Sequence, residues 1–143
     1  MPALANRIWS MIIINLAILI STLTIHEIGH ALTGKLLGCV TARAVIFDSN
    51  SPNPYTELVC QKEEKTTYLA GLALTTLFGL SFLAFEDKQR PLSLVIIGFG
   101  IFLAALDVVE FTRLNFMQYL FMLSGLVSLI IGQILYGIYN VKD

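Results

Sequence analysis

Two histidines and one glutamate in the stretch TLTIHEIGHALTGKLLG, Thr22 to Gly38, have the types and spacing for metal chemistry. His26 and His30 are both of the chain's histidines. Residues i and i+4 of a helix lie on one face, a turn apart. The two imidazoles can therefore bind one ion. Glu27 sits one position round the helix, beside such an ion rather than on it. Neutral imidazole suits Zn²⁺, and a catalytic zinc keeps one position open for water. A bound ion lowers that water's pKa to about 7, and a neighbouring carboxylate can take its proton. This is the logic of the H-E-x-x-H motif. The bland alternative is a pair of histidines hydrogen-bonded at a helix end, with Glu27 reaching water. It has to bury such groups without a partner, which is expensive.

The element that carries these residues is unusual for them. The motif ends IWSMIIINLAILISTLTI, a run of apolar and small residues. Ionisable groups at membrane depth are costly and are normally kept for function. Composition points the same way. The chain has 143 residues, is 56% hydrophobic and only 13% charged, with a mean hydropathy of +0.76. Soluble domains run at about 25% charged. The net charge of −1 gives no electrostatic footprint for nucleic acid.

A spanning helix needs about 20 mostly apolar residues, and four segments qualify: residues 8–37, 67–85, 92–109 and 116–139. The first has Arg7 before its apolar run, as a signal peptide would. It is too long for one and ends in HEIGH rather than a small-residue cleavage site, so a retained span is expected. Between the second and third lies only EDKQR, with Pro91 opening the third span, where proline is tolerated. Between the first and second lies a region of residues 39–65. VTARAVIF alternates as a strand does, DSNSPNPY is a turn cluster, and TELVCQK can return as the second strand. The expected architecture is one all-α polytopic membrane domain over residues 1–143, with four transmembrane helices and a small β-hairpin between helices one and two.

Two histidines leave a zinc site short of a protein ligand, and HEIGHALTGKL contains no third histidine. Apart from Glu27, Asp107 is the acidic residue that lies well inside a span. Glu110 lies one turn further out. The first and third helices run in the same direction, and the histidines and Asp107 both lie near the exit ends. The three side chains therefore reach similar depth on one side. The competing expectation for Asp107 is an acid at a helix end paired with Arg113.

Small residues recur every four positions on the second helix (Gly71, Thr75, Gly79) and on the third (Gly100, Ala104), and Ser124, Ser128 and Gly132 stand out on the fourth. Thr22, His26, His30 and Gly34 form the matching face of the first. Such stripes let helices approach closely in lipid and aim the ligands into the bundle. Cys39 and Cys60 are too few for a disulfide framework; unpaired thiols are expected, and the alternative is that the two meet across the hairpin.

HEIGHALTGKLLG resembles the zinc-binding helix of the site-2 protease family of intramembrane metalloproteases, especially its small members without large soluble insertions. The resemblance extends through the hairpin to YLAGLALTTLFG, Tyr68 to Gly79, and LAALDVVEF, Leu103 to Phe111. It covers about residues 20 to 111, specifically in the first motif and loosely in the other two. Gly71 matches a glycine of the family's second motif, with Leu72 where proline is usual and Thr75 where asparagine is usual. Leu106-Asp107 match its third motif, with Val108 in place of glycine. The resemblance implies one Zn²⁺ held by His26, His30 and Asp107, Glu27 as the catalytic base, and Gly71 and Thr75 near substrate. The expected function is hydrolysis of peptide bonds in or near transmembrane segments of membrane-protein substrates. The alternative is a catalytically silent homologue that binds or chaperones membrane helices. A metal carrier is a weaker third reading, since no second polar relay crosses the bundle. The hairpin, next in sequence to the zinc helix, offers an edge to which an unwound substrate can add as a strand.

Orientation is nearly balanced by charge. Arg7, Lys88, Arg90 and Lys142 lie on the side of the termini, and Lys35, Arg43, Lys62, Lys65 and Arg113 on the hairpin side. The positive-inside rule leans faintly towards a cytoplasmic hairpin, and the resemblance implies the same placement, with zinc a little below that face.

Overall fold

The computed structural model describes residues 2–49, 54–61 and 65–141, with side chains described for 9–49, 54–61 and 65–139. Of the expected turn DSNSPNPY, residues 50–53 lie outside the described residues. Of the described residues, 74% are helical. Its elements are α1 (Pro2–Leu36), β1 (Thr41–Val45), β2 (Tyr55–Val59), α2 (Thr67–Ser81) with a 3-10 turn (Phe82–Ala84), α3 (Pro91–Leu103), α4 (Ala105–Thr112) and α5 (Asn115–Val141).

Three helical stretches are each long and apolar enough to cross a membrane: Trp9–Leu36, Thr67–Ala84 and Asn115–Tyr139. The expected third span departs from a single straight helix. It is α3 followed by α4, bent by 47° at Ala104, whose ψ of −1° leaves the helical range. The two together count as a fourth span only if the bent pair is taken as one. LSLVIIGFGIFLAALDVV is apolar through the bend, so periodicity in the sequence carries no sign of it.

Packing is inside-out relative to a soluble bundle. The core is small: Ile18, Leu92, Val95 and Ile96, with Phe78, Phe82, Phe99 and Leu129 against it. Large apolar side chains such as Ile13, Leu16, Leu123, Ile130 and Ile134 face outward. A surface of that kind suits hydrocarbon, where apolar side chains gain nothing from being hidden. Outside that core, much of what is buried between helices is small or polar. Thr22, His26, His30 and Gly34 line the inner face of α1, and Thr67, Gly71, Thr75 and Gly79 that of α2. On α5 the inner face is Gly125, Ser128 and Gly132 rather than one containing Ser124. Ser124 is exposed and bonds its own helix at Phe121 O, while Ser128 donates to Leu94 O of α3 at 2.9 Å. Asn15 of α1 and Gln133 of α5 pair their side-chain amides, each donating to the other.

Gly38 takes a positive φ of 80°, a conformation that favours glycine, and turns the chain from α1 straight into the hairpin. β1 and β2 pair antiparallel, Thr41 opposite Val59 and Val45 opposite Tyr55, as expected. Arg43 and Glu57, directly opposite, form an exposed ion pair at 2.6 Å. This register carries Cys39 and Cys60 to the base of the hairpin, where they form a disulfide with Cα atoms 4.2 Å apart. The expectation of unpaired thiols is therefore corrected. Two cysteines flanking two strands become neighbours once the register is fixed, and sequence spacing alone does not fix it. The bridge closes a loop of about 20 residues, for which chain-entropy arguments give roughly 3 kcal/mol.

Candidate metal centre

The centre forms where α1, α2 and the start of α4 meet. The i, i+4 spacing on α1 stacks His26 and His30 on the inner face, 3% and 7% exposed. Their rings meet edge to face, with centroids 4.8 Å apart. Asp107 comes from the first turn of α4, so the bend at Ala104 sets where it points. A carboxylate is also favoured there by the positive end of the helix dipole.

Three ligand atoms converge. His26 Nε2 lies 2.9 Å from Asp107 Oδ2, His30 Nε2 lies 3.3 Å from the same oxygen, and the two Nε2 atoms are 3.2 Å apart. Atoms about 2.0–2.1 Å from a four-coordinate tetrahedral ion stand about 3.3 Å from one another. The triangle is close to one face of such a tetrahedron, and among the described residues His26, His30 and Asp107 form the group able to hold a metal ion.

The hydrogen bonding of His30 strengthens that fit. Its Nδ1 lies 2.6 Å from Thr67 O. A carbonyl only accepts, so Nδ1 carries the proton and donates. In neutral His30, Nε2 then presents a lone pair to the Asp107 carboxylate and to His26 Nε2. A proton on His26 Nε2 could serve these acceptors, and a cation at their centre would serve all three atoms at once. A ligating histidine whose other ring nitrogen donates to a carbonyl is the usual outer-shell arrangement of a metal site. His26 Nδ1 is buried with no hydrogen-bond partner among the described residues.

α2 reaches the histidines through Gly71. A Cβ there would stand 2.6 Å from His30 Nε2 and 2.7 Å from His26 Cε1. A Cβ at Gly29 of α1 would meet Ala70 O at 2.6 Å. The two glycines therefore set the close crossing of α1 and α2. Thr75, expected near substrate, is fully buried, and its hydroxyl lies 3.0 Å from both Gly71 O and Leu72 O of its own helix. This placement gives Gly71 and Thr75 packing roles and offers no support for substrate contact.

Glu27 is 9% exposed and stands outside the triangle, as its position on the helix requires. It lines a cavity of about 270 Å³ with His30 and Asp107, and Pro54, Tyr55, Thr56 and Leu58 of the hairpin side wall it. Thr56 Oγ1 lies 2.6 Å from Glu27 Oε2. Glu110 is exposed and takes no part in the cluster, and Asp107 faces the histidines rather than Arg113, which caps α4 in a left-handed conformation.

Sequence reasoning missed Thr56 and Thr67. Thr67 acts through its main-chain carbonyl, which no residue type advertises. Thr56 was findable in part, since alternation along TELVC puts Thr56 and Leu58 on the same face. No family model, curated protein or solved structure matches this chain.

Proposed function

We propose that the chain is an intramembrane zinc metalloprotease, and the observation that carries this reading is the convergence of His26, His30 and Asp107 within one tetrahedral face beside Glu27. His26 Nε2, His30 Nε2 and Asp107 Oδ2 would hold one Zn²⁺. Bound there, the ion supplies Lewis-acid polarisation and an acidified water. Glu27 would take a proton from a water held beside it, whose oxygen would become part of the new carboxyl group. Glu27 then returns the proton to the leaving amine as the C–N bond breaks. Atoms balance as one water consumed per peptide bond. The outward apolar surface supports a substrate that arrives through the bilayer, a membrane protein with a locally unwound span. Unwinding leaves peptide groups unpaired in a dry site, and β2, which walls the cavity, would offer a strand edge to pair them.

We further infer that the hairpin and the mouth of the cavity face an oxidising compartment, opposite to the placement expected from charge and resemblance. Disulfides persist in oxidising surroundings and are rare where thiols are kept reduced, and Cys39–Cys60 joins the two arms of this hairpin. Nine basic residues split four to five weigh little against that.

The experiment is cleavage of a transmembrane-helix substrate by zinc-loaded protein in lipid, wild type against Glu27→Gln. The amide keeps the shape but cannot accept the proton, so the rate should fall by about 10²–10⁴ with zinc still bound. A Glu27→Gln variant that cleaves at the wild-type rate removes the general-base assignment. A wild type that binds helices yet cleaves none would make the chain a binding protein.

A further inference from the structure

We propose that Thr56 is the positioning residue for the Glu27 carboxylate, an inference that rests on the hydrolase reading of the site. Glu27 has a flexible side chain beside an open cavity, and a general base works only when held within hydrogen-bond reach of the proton it takes. Thr56 Oγ1 lies 2.6 Å from Glu27 Oε2 and 2.9 Å from Glu27 O. The hydroxyl has one proton to donate, and the shorter contact makes the carboxylate its main acceptor, with the Glu27 main-chain oxygen within reach as a second, bifurcated acceptor. The 2.6 Å contact is in the range of a charge-assisted O–H···O⁻ bond. With Oε2 held by the hydroxyl, Oε1 is the oxygen left to take the proton.

Thr56 is itself a fixed reference point. It pairs with Ala44 in the two-stranded sheet, and the Cys39–Cys60 bridge ties the end of β2 to the end of α1. The other acid of the strand, Glu57, is engaged by Arg43 on the exposed face and does not compete. A hydroxyl that merely docked the hairpin on α1 would be served by the main-chain oxygen alone. The second, shorter contact to the carboxylate is what such a dock leaves unexplained.

The test compares Thr56→Val, which keeps the shape without the hydroxyl, with Thr56→Ser, which keeps the hydroxyl. Thr56→Val should lower kcat about tenfold, the rate equivalent of one hydrogen bond to a charged group. KM and zinc content should stay unchanged, and Thr56→Ser should restore most of the rate. A second readout needs no activity. In a double-mutant cycle on unfolding in lipid or detergent, Thr56→Val and Glu27→Ala should be non-additive, since each removes the same bond. Unchanged kcat, zinc lost together with kcat, a serine variant no better than valine, or an additive cycle would each overturn the proposal. If the wild type cleaves nothing, the hydrolase reading fails while the cycle still decides whether Thr56 holds Glu27.

Discussion

The tightest constraint on the centre is a missing side chain. Gly71 packs against both imidazoles, and a Cβ there would lie 2.6 to 2.8 Å from their ring atoms. One of those atoms, His30 Nε2, is a proposed ligand, so the site cannot give way without moving it. Gly71→Ala should therefore destabilise the bundle by about 1–3 kcal/mol, as overpacking does, and weaken zinc retention well beyond that of Gly79→Ala. The comparison is a fair one, since a Cβ at Gly79 would meet Ile97 Cγ1 at 2.6 Å, an equally close contact that touches no ligand. Metal analysis of the two purified variants checks it, and equal retention would mean that the imidazoles adjust freely. At this scale much was legible. His26, Glu27 and His30 announce themselves because ionisable groups inside an apolar run need a reason. Asp107 followed from helix direction and depth. The packing role of Gly71 was legible in its small-residue stripe, but that it packs against the imidazoles themselves was not, because the stripe does not name its neighbour.

The elements were legible to different degrees for physical reasons. Long apolar runs define α1, α2 and α5, and alternation defines the two strands. The bend between α3 and α4 was not visible, since hydrophobicity continues through it, yet that bend turns Asp107 towards the histidines. The hairpin's disulfide stood in the sequence only as an alternative, for another reason: Cys39 and Cys60 are 21 positions apart, and only the register brings them together. That bridge sets the prediction for this element. In intact cells, a membrane-impermeant thiol reagent should leave both cysteines unmodified before reduction and label them from the outside after an impermeant reductant. Free thiols that label only once the membrane is opened would place the hairpin in the cytoplasm and return orientation to the charge-based expectation.

At the scale of the whole molecule, the fold brings a polar centre close to one end of an otherwise apolar bundle. His30 lies six residues before the end of α1 at Leu36, about 9 Å along the axis at 1.5 Å per residue. The centre is thus shallow, under the hairpin, and its cavity is walled by both α1 and β2. All of this turns on whether α1 and α4 jointly hold a metal. The most direct measurement is zinc stoichiometry in protein purified without chelators, for wild type, Glu27→Gln, Asp107→Ala and Glu110→Ala. The account predicts close to one zinc per chain in wild type, Glu27→Gln and Glu110→Ala, and severe loss in Asp107→Ala. A wild type that retains no zinc, or an Asp107→Ala variant that retains it as well as wild type does, would contradict it.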